Sequence, residues 1–208
     1  ARDAEPLAGD TATARAGRPW TIAQRVDHPE YAAANRLALT DLAGGAGRLV
    51  LVADDGFDAR GFGLPAFDDK ALDALLADVA LDMITLRLGP SFTGTARARA
   101  IADFAERRGF KPDQLSVHFA LAPIAQLAAT GTLAQDWPAA ADDLAATVRD
   151  LATYGFKGPF IAADARPVSE AGGSEAQELA FAIASAVAYL RMLTDRGLAG
   201  DEAARQIS

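Results

Sequence analysis

The sequence predicts an α/β fold built on a parallel sheet, and three observations lead there. Short apolar runs recur at Leu49–Ala53, Asp82–Leu88, Leu115–Leu121 and Pro159–Ala163, each mixing aliphatic residues with β-branched or aromatic ones. Each run is followed by a stretch with helical spacing. Taking the first residue of each run as origin, the offsets are 33, 33 and 44 residues, enough for a strand, a crossover helix and two loops. Four such units suit either a small open sheet of the flavodoxin type or half of a (β/α)8 barrel, since a whole barrel needs about 250 residues. The continuous apolar character of the runs predicts strands covered on both faces. A partial barrel is further expected to leave an apolar sheet edge and face exposed.

The helices fall at Asp69–Val79, Thr93–Arg108, Pro138–Tyr154 and Ser174–Thr194, with a shorter one at Ile124–Ala129. Thr93 precedes an Ala- and Arg-rich run that closes at Gly109, and Asp136-Trp137-Pro138 sets a proline near a helix start whose far end is Gly155. Ser174 followed by Gln177 has capping-box spacing, after which Leu179, Ile183, Ala186, Val187 and Leu190 mark one apolar face. Gly44-Gly45-Ala46-Gly47 precedes a strand, the wrong order for a phosphate cradle, and reads as a flexible loop. Residues 1–17 are small, polar and without period and form an N-terminal arm; residues 18–208 form the domain.

Composition excludes several classes of function. With 208 residues, 50% hydrophobic and 23% charged, the chain has the make-up of a globular domain. Twenty Lys and Arg against 28 Asp and Glu give a net charge of −8, a field that repels phosphate backbones and anionic headgroups, so neither nucleic acid nor a membrane is expected as partner. The absence of cysteine removes disulfides, thiolate metal sites and thiol catalysis. No run reaches the ~18 consecutive apolar residues of a membrane span and no leader pattern opens the sequence, so a cytoplasmic location is expected.

A working site on a parallel sheet gathers at the carboxyl ends of its strands. The first run supplies Asp54, Asp55, Asp58 and Arg60 there, the second Arg87, Ser91 and Thr93, and the fourth Asp164, Arg166, Ser169 and Glu170, whereas the third offers only Ala120 to Pro123. This inventory holds acids and arginines but no nucleophile with its base. Asp54 and Asp55, adjacent in an extended segment, are expected to point to opposite sides, one of them capping the segment directly after it. His28 belongs to a solvated turn entering a helix, and His118 to a strand, as a buried neutral imidazole. Ala171-Gly172-Gly173-Ser174 joins a strand to a helix N-terminus, and Arg97, Arg99, Arg107 and Arg108 form a solvated helix face. No metal-ligand spacing occurs. One reading of the residues is a self-contained α/β enzyme or small-ligand binder using Asp54, Asp164 and Arg166 at a strand-end cleft.

Two stretches carry a resemblance. Arg18-Pro19-Trp20-Thr21-Ile22-Ala23-Gln24 resembles the RPWTIRQ segment that opens the substrate-binding barrel of the adenosylcobalamin-dependent acyl-CoA mutases, the family of methylmalonyl-CoA mutase. Glu170-Ala171-Gly172-Gly173-Ser174-Glu175-Ala176-Gln177-Glu178-Leu179-Ala180, continuing through Ala188-Tyr189-Leu190-Arg191, is similar to that family's EAGA-type turn and following helix. Lys111-Pro112-Asp113-Gln114-Leu115 sits where the family carries a short connection into a strand. The resemblance spans Arg18 to Ser208. It implies a parallel (β/α)8 TIM-type barrel, of which this chain is a first part of about four βα units, with coenzyme A threading the axis and a separate cobalamin domain above.

Carried over residue by residue, the resemblance implies that the family's catalytic positions are changed. Its Tyr before the RPW segment falls on Arg15, its substrate-contacting Gln on Ala120, its carboxylate-gripping Arg on Thr130, and its His before the EAGA turn on Pro167. Ala, Thr and Pro supply no ring nitrogen, amide or guanidinium with which to hold an acyl carboxylate and a thioester carbonyl. The chain therefore resembles the small, non-catalytic subunit of a heterodimeric mutase. Its partner is expected to be a homologous catalytic large subunit that binds the adenosylcobalamin and, with it, the acyl-CoA.

Overall fold

The computed structural model describes residues 20–208. The arm expected at residues 1–17, Arg15 included, lies outside the described residues. Four parallel strands, β1 (Ala23–Val26), β2 (Arg48–Leu51), β3 (Thr85–Leu88) and β4 (Ser116–His118), stand side by side in the order β1-β2-β3-β4. Helices α1 (Tyr31–Ala43), α2 (Asp69–Leu75) and α3 (Gly94–Arg107) make the three crossovers. After β4 come α4 (Pro123–Thr130), α5 (Trp137–Tyr154), α6 (Arg166–Glu170), α7 (Glu175–Asp195) and α8 (Gly200–Arg205).

An order without reversal means that every crossover steps the same way, and right-handed crossovers then lay all three helices on one face of the sheet. A flavodoxin-type sheet reverses at a switch point, so that alternative does not describe these strands. The residues follow suit. Leu49, Leu51, Leu86, Leu88 and Val117 point to the helical side and are buried. The opposite face carries two rows in register, Ala23, Arg48, Thr85 and Ser116, then Arg25, Val50, Arg87 and His118, all of them half-buried or exposed. The strands are thus covered on one face and not two, and the uncovered face is polar and not apolar. Thr85 Oγ1 and Ser116 Oγ lie 3.0 Å apart on it.

The expected strand at Pro159–Ala163 is reduced to one residue, Ile161, with parallel bridges to Leu121 on one side and Ile207 on the other. Backbone bonds continue the sheet's hydrogen-bonding direction through these positions: Leu121 N donates to Phe160 O at 2.9 Å, Ile161 N to Gln206 O at 2.9 Å and Ser208 N to Ile161 O at 2.9 Å. Two elements were not expected as such, β1 and the extent of α1. Ala23-Gln24-Arg25-Val26 buries only Val26, and α1 buries only Ala34 and Ala38, so neither shows an apolar period.

The helix ends are closed by specific side chains. Asp68 Oδ1 accepts from Ala71 N at 2.8 Å and Asp136 Oδ1 from Ala139 N at 3.0 Å, capping α2 and α5. Gly155, with φ of 101°, ends α5. The capping box on α7 forms as its spacing predicts: Gln177 N donates to Ser174 Oγ, and Ser174 N to Gln177 Oε1 at 2.8 Å. The Ala171–Ser174 turn that leads into it joins α6 to α7, and not a strand to a helix. Asn35 on α1 donates from Nδ2 to Leu75 O and Ala77 O at 2.9 and 2.8 Å, satisfying carbonyls at the end of α2.

One core lies between the sheet and the helices, with Phe119, Phe156 and Phe160 meeting edge to face at centroid separations of 5.2 and 5.8 Å. Helix α7 is long and apolar enough to cross a membrane by length and composition. It buries Ser185, Tyr189, Met192 and Leu193 against its neighbours, while Leu179, Ile183 and Val187 form an exposed stripe. Tyr189 is fully buried, and its hydroxyl accepts from Ile124 N at 2.9 Å, fixing the first turn of α4. Tyr189→Phe leaves that amide unpaired, and chemical denaturation is expected to show a loss of about 1–2 kcal/mol; an unchanged midpoint and slope would contradict this role.

Candidate functional site

The charged residues that follow the strands form two separate networks. The first centres on Arg166. Its Nε lies 3.0 Å from each carboxylate oxygen of Asp164, its Nη2 2.6 Å from Asp164 Oδ2 and its Nη1 2.9 Å from Asp58 Oδ2. The guanidinium also stacks 5.3 Å over the Phe57 ring. Arg25, from β1, reaches the same carboxylate at 3.7 Å, donates to the Asp58 carbonyl at 3.2 Å and pairs with Asp27 at 3.2 Å. Arg87 on β3 shares an open groove with Asp164, Arg166 and Ser208.

Position sets the electrostatics of this network. Burial alone would raise the Asp164 carboxyl, but the hydrogen bonds and charge of Arg166 outweigh it and hold the group below the ordinary carboxylate value. The same pairing binds the proton of Arg166 more firmly than usual. Burial, and then repulsion from Arg166, push Arg87 the other way, below the ordinary arginine value.

The second network centres on Arg97, whose side chain is only 9% exposed. Its Nη2 meets Asp54 Oδ1 at 3.1 Å and Asp55 Oδ1 at 3.4 Å, Nη1 donates to Leu64 O at 3.2 Å, and Nε to Thr93 Oγ1 at 2.8 Å. Phe67 lies under the guanidinium at 4.6 Å. Asp55 Oδ2 in turn accepts from both Thr93 N (3.0 Å) and Thr93 Oγ1 (2.7 Å) at the start of α3. The loop from Asp54 returns to the sheet at Gly63, whose φ of 116° and close approach to the Asp54 backbone leave no room for a Cβ.

Several expectations change here. Asp54, Asp164 and Arg166 do not converge: the last two pair with each other and Arg166 also with Asp58, while Asp54 belongs to Arg97. Asp54 and Asp55 do not diverge, because the chain leaves extended geometry after Ala53 and both carboxylates reach one guanidinium. Asp55 caps α3, 38 residues ahead, and not the segment directly after it. Of the arginines of α3, expected as a solvated face, Arg107 and Arg108 are exposed as expected, and Arg97 and Arg99 are not. Arg97 is buried, Arg99 pairs with Asp143 and Asp150 at 2.8 and 3.2 Å, and Arg107 and Arg108 both pair with Asp73 at 2.8 and 3.4 Å.

The remaining positions take modest places. Ala120 adopts a left-handed φ of 47° just after β4. Thr130 Oγ1 donates to Gln126 O at 2.7 Å at the end of α4, and Pro167 is buried in α6. Arg60 approaches Glu170 at 3.7 Å, and Ser169 lies inside α6. His28 sits in an exposed turn where its Nδ1 accepts from Glu30 N at 3.1 Å, and His118 is half-buried on β4 in the uncovered face. No three His, Asp or Glu side chains gather as a metal site among the described residues. Sequence reasoning missed Arg25, Phe57 and Phe67, for which no strand or pairing signal exists, and Gln126, whose burial on a short Ala-rich helix has none either.

A model of the methylmalonyl-CoA mutase family matches residues 7–208. The chain belongs to that family. It is 31% identical to a methylmalonyl-CoA mutase small subunit of Streptomyces virginiae over 221 aligned positions, covering 100% of this chain and 33% of that protein. To the methylmalonyl-CoA mutase small subunit of Propionibacterium freudenreichii subsp. shermanii it is 26% identical over 189 positions, covering 88% of this chain and 27% of that protein. The chain thus spans about a third of the length of the curated relatives it matches. Both family motifs have a place in the fold: Trp20 to Gln24 lead into β1, and the EAGG turn links α6 to α7.

Because Asp164 is held below the unfolded carboxylate value of about 4, its pairing stabilises the fold above that pH, and the stabilisation is lost as pH falls through the lower folded value. Urea denaturation between neutral pH and pH 2 should show the parent falling more steeply than Arg166→Gln once the pH passes below about 4. Parallel curves would remove the role assigned to this pair.

Proposed function

We propose that the chain forms the opening part of a (β/α)8 barrel in the small subunit of a methylmalonyl-CoA mutase. In this reading the subunit supports a homologous catalytic large subunit and does not itself interconvert methylmalonyl-CoA and succinyl-CoA. The strand order without reversal, the one-sided helical cover and the parallel bridges that continue through Ile161 and Ile207 support the barrel. The names of the two relatives support the subunit.

The observation that carries the non-catalytic role is the commitment of strand-end charges to one another. A mutase must hold a substrate carboxylate and a thioester carbonyl in a site shielded from water. Arg166 is taken by Asp164 and Asp58, and Arg97 by Asp54 and Asp55, so neither guanidinium is available to grip an acyl carboxylate. At the positions that the family resemblance marks as catalytic stand Arg15, Ala120, Thr130 and Pro167. Ala120 has only a methyl group, the Thr130 hydroxyl donates to a helix carbonyl, and Pro167 has no donor.

Adenosylcobalamin belongs with the large subunit in this reading. A corrin ring needs a broad apolar bed and free donors for its amide side chains, and the strand ends here present paired carboxylates and arginines that do not fit it. The acyl-CoA of the complex is then gripped by the same partner. On the side of this chain, the exposed Leu179, Ile183 and Val187 stripe of α7 supplies contact surface.

With methylmalonyl-CoA and added adenosylcobalamin, the chain alone is expected to form no succinyl-CoA and to retain no cobalamin through gel filtration, whereas addition of the large subunit gives turnover. Turnover by this chain without a partner would overturn the proposal.

A further inference from the structure

Six arginines among the described residues are buried or half-buried, and four of them, Arg97, Arg99, Arg166 and Arg196, have a carboxylate at ion-pair distance. Arg48 and Arg87 have none among the described residues. Both project from the uncovered face of the sheet, Arg48 from the first residue of β2 and Arg87 from the third of β3. Asp58 and Asp164, the carboxylates whose charge Arg87 feels, are already held by Arg166. Glu175 and Glu178 of α7 share the open groove of Arg87 without pairing with it.

The register brings the two arginines together. Arg48 lies opposite Thr85 across the β2–β3 ladder, and Arg87 follows Thr85 by two residues on the same face. With adjacent strands about 4.8 Å apart and alternate residues about 7 Å apart along a strand, the two side chains flank one hydroxyl. Thr85 Oγ1 in turn lies 3.0 Å from Ser116 Oγ, and His118 stands opposite Arg87 on β4. Burial first, then Arg166 and in smaller part Arg48, lower the hold of Arg87 on its proton, so the two guanidinium groups sense each other across this patch.

A half-buried charge gives up part of its hydration, and water that reaches it can satisfy a hydrogen bond but carries no compensating charge. An anion does both. Each guanidinium presents a planar fork that matches two oxygens of an oxyanion. A carboxylate has one such edge and fills one fork, whereas a tetrahedral oxyanion has several and can bridge two.

We propose that Arg48 and Arg87 form a binding site for a small tetrahedral oxyanion of the phosphate class on the uncovered face of the sheet, seated over the Thr85 hydroxyl. The site goes beyond the mutase reading above, since a chain that catalysed the isomerisation alone would still present it.

Inorganic phosphate is titrated into the full chain at an ionic strength held constant with sodium chloride, with acetate as the single-edged control, while the arginine Nε–H signals are followed by nitrogen–proton NMR. The Arg48 and Arg87 signals should shift together and saturate with one constant, and those of the exposed Arg36, Arg191 and Arg205, which have no carboxylate partner either, should not saturate. Acetate should bind more weakly than phosphate. Arg48→Gln and Arg87→Gln should each weaken phosphate by roughly tenfold or more, and Arg36→Gln should leave it unchanged. Shifts of equal size at the exposed arginines, equal binding of acetate and phosphate, separate constants at Arg48 and Arg87, or unchanged affinity in either Gln variant would each overturn the site. The first three readings use the parent chain and hold even if a variant fails to fold.

Discussion

Each strand of the sheet meets two different environments, and the rest of the molecule is arranged around that asymmetry. Leu49, Leu51, Leu86, Leu88 and Val117 must leave water, while Arg25, Arg48, Arg87 and Ser116 on the intervening positions must keep it or find partners. Because side chains alternate along a strand, a shift of one residue in register would drive arginines under the helices and leucines into the open. The strand order, the placement of the crossovers on one side and the convergence of charge at the strand ends all follow from satisfying this condition four times in parallel.

The charge at those ends serves architecture. Arg97 binds carboxylates and carbonyls from the loop after β2 while projecting from α3, and Arg166 draws Asp58 toward Asp164 across 108 residues of sequence. Partly buried arginines gain from several acceptors and an aromatic face at once, which a single surface pair does not provide. Side chains held this way keep loops in place. They are poorly suited to release their partner for a substrate.

The alternation of β and α elements, the capping box at Ser174 and Gln177, and the proline start and glycine stop of α5 were legible because each depends on residues within a few positions of one another. The strand at Leu49 was legible for the same reason. Where local and tertiary causes separate, the reading failed. Apolar runs such as Leu115–Leu121 suggested two-sided cover, yet Ser116 and His118 face away from the helices. Pro159–Ala163 has strand composition but forms bridges only at Ile161, its backbone amides being shared with Leu121 and Gln206 at either side. Of the strand-end residues, composition placed Asp58, Asp164 and Arg166 in one inventory, but only the fold shows which acid meets which arginine, and β1, which brings in Arg25, has too little apolar content to announce itself.

The amide at the start of α3 is satisfied by a carboxylate from a loop 38 residues earlier, and this makes the helix boundary a long-range property. A peptide corresponding to α3 lacks its own terminal acceptor, so its first turn has nothing to arrest unwinding until the segment bearing Asp55 has docked. Neutralising that one carboxylate would therefore loosen the opening of a helix far along the sequence.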